Sequence, residues 1–293
     1  MNQQSLSALV WLVEAGADEA VGEAPVNRFV QPKPHPQASS HPPLEGGSKN
    51  PKDFSGRGKA MLDPSPKSAP QISTLPQGEG GNLGDDPIGH AIALARAATS
   101  LGELKAALES FAGPGLRRGA TNLVFADGNP ASRILFIGEA PGREEDRQGL
   151  PFVGRAGKLL DKMLAAIGLD RGSAYITNVL NWRPPENREP SPEEAAMALP
   201  FLRRHIELVD PVVMILLGGT AVRHVVGQSD GILKTRGRWL DYNVLGRMVP
   251  AMPTLHPAYL LRQPAHKRLA WRDLQAVGQK IETLRTPGLK DAH

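Results

Sequence analysis

The chain has 293 residues, enough for one large or two small domains, of which 40% are hydrophobic and 22% charged. Its 34 lysines and arginines against 30 acids leave a formal net charge of +4, a balance compatible with a polyanionic partner but too small to require one. No cysteine is present, which excludes disulfides and thiol redox sensing.

Residues 1–28 are expected to hold one short helix, because Leu9, Val10, Trp11, Leu12 and Val13 form an apolar cluster that ends near Gly16. That segment is too short to span a membrane and has neither a basic leading region nor a cleavage site, so a soluble cytoplasmic protein is expected. Residues 29–87 are dense in proline and glycine (PKPHPQASSHPPLEGGSK, later LPQGEGGNLGDDP). They cannot bury enough apolar surface to offset their ordering entropy and read as a disordered linker or insert. A folded domain over 88–286 and a tail over 287–293 complete the expected organisation.

Within the domain a helix is expected over about 88–111, packed across a sheet. Four apolar runs, 133–137, 174–180, 212–217 and 249–255, read as buried strands. Helical patterns alternate with them. Leu159, Leu160, Met163, Leu164 and Ile167 share one face; a second helix opens on a capping box at Ser191-Pro192 with Glu194, and buries Ala195, Leu199, Leu202 and Ile206. A third helix follows Gly218-Gly219, and a last one carries Leu274, Val277, Ile281 and Leu284. The alternation predicts an α/β fold: a three-layer α/β/α sandwich around a central four-stranded, mainly parallel sheet.

The densest run of unusual residues is 133–157, RILFIGEAPGREEDRQGLPFVGRAG. A buried strand ends at Gly138, and a carboxylate, a Pro-Gly turn, a cluster of acids and a loop aromatic follow, at the end of the strand where open α/β sheets place their chemistry. The alternative is an ordinary loop with solvated acids. Gly218-Gly219-Thr220 after the third strand offers backbone N–H groups to a phosphate. However, no strand is followed by G-x-G-x-x-G and no P-loop lysine is present, which disfavours a dinucleotide site and leaves the Gly pair to tight strand-to-helix packing. Arginines at 117, 118, 183, 188, 203, 204, 236, 238 and 262 lie mostly in predicted loops, where they suit phosphate contacts; a solvated basic face is the competing reading.

The run from Gly138 to Gly142, with Glu145-Asp146, Gly149, 151–154 and Ala156-Gly157, resembles motif A of the uracil-DNA glycosylase superfamily in its family-four form. Three further segments agree in order: 177–180 with 183–188 is similar to the family's second strand and loop, Arg236-Gly237-Arg238 to a short basic hairpin, and 256–262 (HPAYLLR) to motif B. The resemblance covers roughly 100–285. It implies a DNA-repair enzyme that extrudes uracil from DNA and hydrolyses its glycosidic bond, with uracil-containing DNA as partner, a nucleoid-associated location and a monomeric state; residues 1–87 are left over for an unidentified partner.

The roles implied are specific. Phe152 stacks on the base, or else plugs its loop. The Asn178 amide donates to O4 and accepts from N3–H of uracil, where cytosine presents the opposite pattern; an Asx turn or cap is the alternative. His256 stabilises charge developing on O2. Ala140 belongs to the base-binding wall and offers no side chain to a water, which leaves Glu139, Glu145 and backbone carbonyls to place it. Asp146 caps the loop or pairs with an arginine. Tyr259, Leu260, Leu261 and Arg262 resemble the wedge that enters the duplex, unless the leucines are core; Arg183, Arg236 and Arg238 join them as DNA contacts.

The chain departs from the family in one respect. Family-four enzymes usually hold a four-iron, four-sulfur cluster on four cysteines, and this sequence has none. The matching positions are Phe111, Pro114, Trp182 and Ala198, so the cluster is expected to be absent, no metal is expected, and Trp182 is expected to pack in its place. A catalytically weak binder of uracil or abasic sites is the first alternative function, and a covalent uracil-DNA trapping relative the second. Lyase activity is not expected, because no lysine lies in the motif segments.

Overall fold

A computed structural model describes residues 86–111, 113 and 115–285 of the chain. The helix expected near 9–16, the linker up to residue 85 and the 287–293 tail lie outside the described residues. Within them are helices α1 (Pro87–Ala97), α2 (Leu101–Ser110), α3 (Arg143–Gln148), α4 (Arg155–Ala165), α5 (Pro192–Val209), α6 (Gly219–Val226), α7 (Ile232–Thr235), α8 (Pro257–Arg262) and α9 (Lys267–Arg285). The strands are β1 (Asp127–Gly128), β2 (Ile134–Gly138), β3 (Tyr175–Asn178), β4 (Val213–Leu217), β5 (Leu240–Val244) and β6 (Arg247–Thr254).

The four expected strands form the parallel centre of one sheet of order β1-β3-β2-β4-β6-β5. Alternate residues of the central strands feed opposite faces. Leu135, Ile137, Met214 and Leu216 join a core with α1, α2, α5 and α6, whereas Ile134, Phe136, Val213 and Ile215 join one with Leu160 and Leu164 of α4 and Val277 and Ile281 of α9. This is the three-layer sandwich that strand-helix alternation demands.

Two edge strands were not expected. Both run antiparallel: β1 against β3, and β5 against β6. The β5–β6 turn is closed by Leu245 (φ 50) and Gly246 (φ 91), the positive-φ pair that a tight two-residue hairpin needs. The hairpin expected at Arg236–Arg238 is therefore displaced; those residues form the turn that leaves α7.

The helix expected over 88–111 is broken. Ser100 caps α2 by accepting from Glu103 N at 3.2 Å, while the Glu103 carboxylate accepts from Thr99 N at 2.7 Å and from its hydroxyl at 2.8 Å. These side chains offer the backbone partners that continued helix would not. In α5 the capping box forms as expected: Ser191 Oγ accepts from Glu194 N at 3.2 Å and Glu194 Oε2 from Ser191 N at 2.9 Å. Arg188 binds the same carboxylate through both terminal nitrogens at 2.7 Å. Leu284, expected in the core, is 40% exposed at the end of α9.

His205 on α5 is buried, stacks on Phe125 with centroids 4.5 Å apart, and meets Tyr175 Oη at 3.0 Å through Nε2. Burial pushes its imidazole down to about 3. The unfolded chain takes up the proton near the ordinary value of about 6.5, so the neutral ring's contribution to stability is complete above that pH and drains as the pH falls towards 3. Melting temperature measured from pH 7.5 down to 4.5 should therefore fall more steeply for the natural chain than for His205→Gln; parallel curves would contradict this.

Candidate active site

All four parallel strands deliver a site element at their carboxyl ends. Gly138 ends β2, Asn178 ends β3, Gly218 follows β4 and His256 lies just beyond β6. The order of β2 between β3 and β4 makes this the point where successive connections diverge, the usual crevice of an open α/β sheet. In register, Gly138 stands directly opposite Asn178.

Asn178 is 2% exposed, and its Oδ1 is buried with no hydrogen-bond partner. Such an atom costs about 1–3 kcal/mol. Phe152 comes within reach because Gly138 has no side chain: a Cβ there would lie 2.4 Å from Asn178 Oδ1 and 2.5 Å from Phe152 Cζ. Phe152 is 6% exposed and has φ 54, a left-handed conformation that costs a non-glycine residue about 1–2 kcal/mol. Its ring meets the His256 ring at 5.5 Å between centroids, tilted by 34°. Two more glycines fit the parts together. A Cβ on Gly157 of α4 would sit 1.6 Å from the Phe152 carbonyl oxygen, and one on Gly218 (φ 96) would sit 3.1 Å from His256 Cβ.

His256 caps α8: its Nδ1 accepts from Ala258 N at 3.1 Å. That contact requires an unprotonated Nδ1, so the neutral ring carries its proton on Nε2 as a free-standing donor. Burial, reinforced by the Arg262 charge, pushes the imidazole down to about 4. Glu139, which follows Gly138 and is half-buried, has its carboxyl raised by burial and by Glu189, against a hydrogen bond from Thr220 and the charges of Arg223 and Arg262.

Glu145 is used differently from expectation. Its Oε2 accepts from Gly142 N at 3.1 Å, and its Oε1 accepts from Val153 N at 3.0 Å and Gly154 N at 2.8 Å. One carboxylate thus satisfies the open amino ends of α3 and α4 together, where a negative charge is favoured. Both oxygens accept from backbone N–H groups, so the carboxylate clamps the backbone on either side of the acid loop and Phe152. Asp146 does neither of the two things expected of it: its Oδ1 ties down a different segment, accepting from Thr121 N at 2.8 Å and Asn122 N at 3.1 Å.

Residues 125–275 match the family model of the uracil DNA glycosylase superfamily. A type-4 uracil-DNA glycosylase of Thermotoga maritima is 45% identical over 158 residues, 53% of this chain and 81% of that protein. Another, of Archaeoglobus fulgidus, is 40% identical over 168 residues, 56% of this chain and 84% of that protein. A third, of Sulfurisphaera tokodaii, is 37% identical over 162 residues, 54% and 74%. The chain belongs to the uracil DNA glycosylase superfamily.

The resemblance set out a longer site for this superfamily member than the fold assembles. Ala140 follows Glu139 and leans on the core below the sheet face. Leu261 is 36% exposed on α8 and Arg262 is exposed beside it, but Leu260 is fully buried against Leu159, Met163 and Leu255. Leu260 is therefore the anchor of α8 and not part of a wedge tip, because a six-residue helix can present only one leucine outward while the other holds it down. Arg236 is likewise withdrawn. It forms a buried ion pair with Asp273, whose Oδ2 also accepts from Thr254 Oγ1 at 2.7 Å, and it donates to Leu269 O at 2.6 Å. Its guanidinium is engaged inside the protein. Arg238 is exposed and lines a cavity of about 420 Å³ with Lys234, Gln228 and Asp230. Arg183 binds Asn187 Oδ1 at 2.8 Å in the loop after β3.

The positions matched to cluster ligands do not fit an iron–sulfur group. Phe111, Trp182 and Ala198 are buried in one apolar core, with Phe111 5.3 Å from Phe201 and the Arg117 guanidinium stacked 4.4 Å over Trp182; Pro114 lies outside the described residues. Among the described residues no group of three or more His, Cys, Asp or Glu could hold a metal ion, and no helix is long and apolar enough to cross a membrane.

In the sequence Gly138 stands out as a strand end and motif residue and Gly157 as a motif residue; their need comes from the close approach of Phe152. Gly138→Ala should lower unfolding free energy by about 1–3 kcal/mol through overpacking, whereas Gly102→Ala on α2, where the nearest atom to a new Cβ is 3.9 Å away, should be neutral or slightly stabilising. Urea denaturation of both variants checks this, and equal stabilities would count against the packed pocket.

Proposed function

We propose that the chain is a monofunctional uracil-DNA glycosylase that flips uracil out of DNA, hydrolyses its glycosidic bond and leaves an abasic site for base excision repair. The observation that carries this reading is the buried, unpartnered Asn178 Oδ1 facing Phe152 across Gly138. An apolar pocket leaves such an acceptor empty only at a cost, and N3–H of a flipped uracil supplies the missing donor. Cytosine has an acceptor at that position and leaves the cost in place, so the same atom selects the base.

Phe152 gives the base a stacking face. His256 Nε2–H, held outward by the Nδ1 contact with Ala258 N, is aimed at charge that grows on O2 as the C1′–N1 bond breaks. A neutral imidazole serves this role, as a ring pushed down to about 4 remains uncharged at physiological pH. With Glu145 tied to backbone N–H groups, Glu139 is left to place the water; its raised carboxyl lies in the direction that strengthens a base. Leu261 and Arg262 face outward to take the flipped base's place and hold a phosphate, and Arg183 and Arg238 extend the contact along DNA. The motif segments 138–157, 177–188 and 256–262 contain no lysine, which favours hydrolysis without a Schiff base. Trp182, stacked under Arg117, takes over the ordering of the loop after β3 that a cluster would otherwise tie down.

A uracil-containing oligonucleotide incubated with the full chain should break at the uracil position after alkali and run free of protein on a denaturing gel. Retained binding without breakage would favour the uracil-binding alternative, and a protein–DNA adduct the trapping one. His256→Gln should slow excision about 10²–10³-fold; an undiminished rate would remove His256 from the chemistry. Between pH 8 and 5.5 His256 should add no inflection to the rate of the natural chain, because the ring protonates only near 4. An inflection from the raised Glu139 carboxyl should persist in His256→Gln, whereas one near the ordinary imidazole value of about 6.5 that His256→Gln abolishes would contradict the neutral donor. Trp182→Ala should cost about 3–5 kcal/mol of stability; an unchanged melting temperature would dismiss the proposed strut.

A further inference from the structure

Phe152 keeps a left-handed backbone on a loop, and such a conformation persists only where the surroundings over-determine it. Glu145 holds the amides that follow it, and Gly157 leaves room beneath its carbonyl. The carbonyls themselves are held by a residue that belongs to no motif. Arg171 stands in the turn after α4, a turn fixed by Ser173 N donating to Asp170 Oδ1 at 2.9 Å and Asp170 N to Ser173 Oγ at 2.8 Å. Its Nη2 donates to Phe152 O at 2.5 Å and its Nη1 to Pro151 O at 3.1 Å. The guanidinium is aimed from behind by two acids: Nη1 also donates to Asp127 Oδ2 at 2.5 Å, and Nε donates to Asp161 Oδ1 at 2.9 Å.

We propose that Arg171 is a positioning residue for base excision, which sets the angle of the Phe152 ring in the pocket by fixing the Pro151 and Phe152 carbonyls against the acids of β1 and α4. The inference rests on the reading of Phe152 as the stacking face. Its physical basis is the fork of the guanidinium. Four partners on three elements are met by one planar group with donors at fixed angles, and an ammonium offers no such geometry. The arrangement is a supporting shell: Arg171 touches no base, and the ring it steers does. Removing it leaves the apolar contacts of Phe152 intact but lets the φ 54 backbone relax, which turns the ring away from the face it must offer a flipped base.

The test compares Arg171→Lys, Arg171→Ala and Phe152→Ala in the full chain, by single-turnover excision from a uracil-containing duplex and by affinity for the same duplex without uracil. Arg171→Lys keeps the charge beside Asp127 and Asp161, so it preserves the fold and isolates the fork. Both Arg171 variants should excise about 10–100-fold more slowly, with unchanged affinity for undamaged DNA, and millimolar guanidinium ion should restore part of the Arg171→Ala rate. A general loss of structure would show no such rescue. A natural rate for Arg171→Lys, or an unrescued loss that follows melting temperature alone, with Phe152→Ala slow, overturns the role of Arg171. A natural rate for Phe152→Ala overturns the stacking assignment on which it rests.

Discussion

One unsatisfied acceptor organises the carboxyl end of the sheet. Asn178 Oδ1 is buried without a partner, and the structure around it shuts out the simple ways of relieving that cost. Gly138 brings Phe152 and Asn178 to within a missing Cβ of each other. Phe152 accepts backbone strain to stand there, and Glu145, Gly157 and Arg171 hold it. Several separate strains and restraints thus converge on one geometry. They make sense together if the pocket is complete only when a ligand brings a donor to Asn178.

The sheet explains why so few residues suffice. Parallel strands point the same way, so Gly138, Asn178, Gly218 and His256 emerge on one edge although more than a hundred residues separate the first from the last. Buried side chains below them, such as Ile137, Leu216 and Met252, make that edge rigid. Helix α8 is then hung from the same rigid body by Leu260 and from the next turn by Tyr259 Oη, 2.7 Å from His266 Nδ1. Among the described positions matched to cluster ligands, apolar packing around Trp182 stands instead.

Much of this was legible in the sequence, for identifiable reasons. Parallel strands buried on both faces write unbroken apolar runs, and the capping box at Ser191 marks its helix without tertiary information. Asn178 and His256 stand at the carboxyl ends of such runs, and Phe152 is marked by the motif that follows one. What escaped notice depends on distant partners. Strand β1 has two residues and β5 alternates exposed and covered positions on the sheet edge, so neither writes a run. Arg236 resembles any loop arginine until Asp273, 37 residues on, closes over it. Leu260 and Leu261 cannot be told apart by periodicity within six residues. Glu145 carries the right chemistry for a base, and only the fold shows its two oxygens already bound. Arg171 has no motif at all.

The pocket's empty acceptor can be observed directly. Side-chain amide resonances of Asn178, assigned by comparison with Asn178→Ala in a nitrogen-labelled sample, should shift in a saturable way when free uracil is added and stay unmoved with cytosine, since only uracil brings an N–H to Oδ1. Identical responses to both bases, or none to uracil at saturating concentration, would contradict the central role of Asn178.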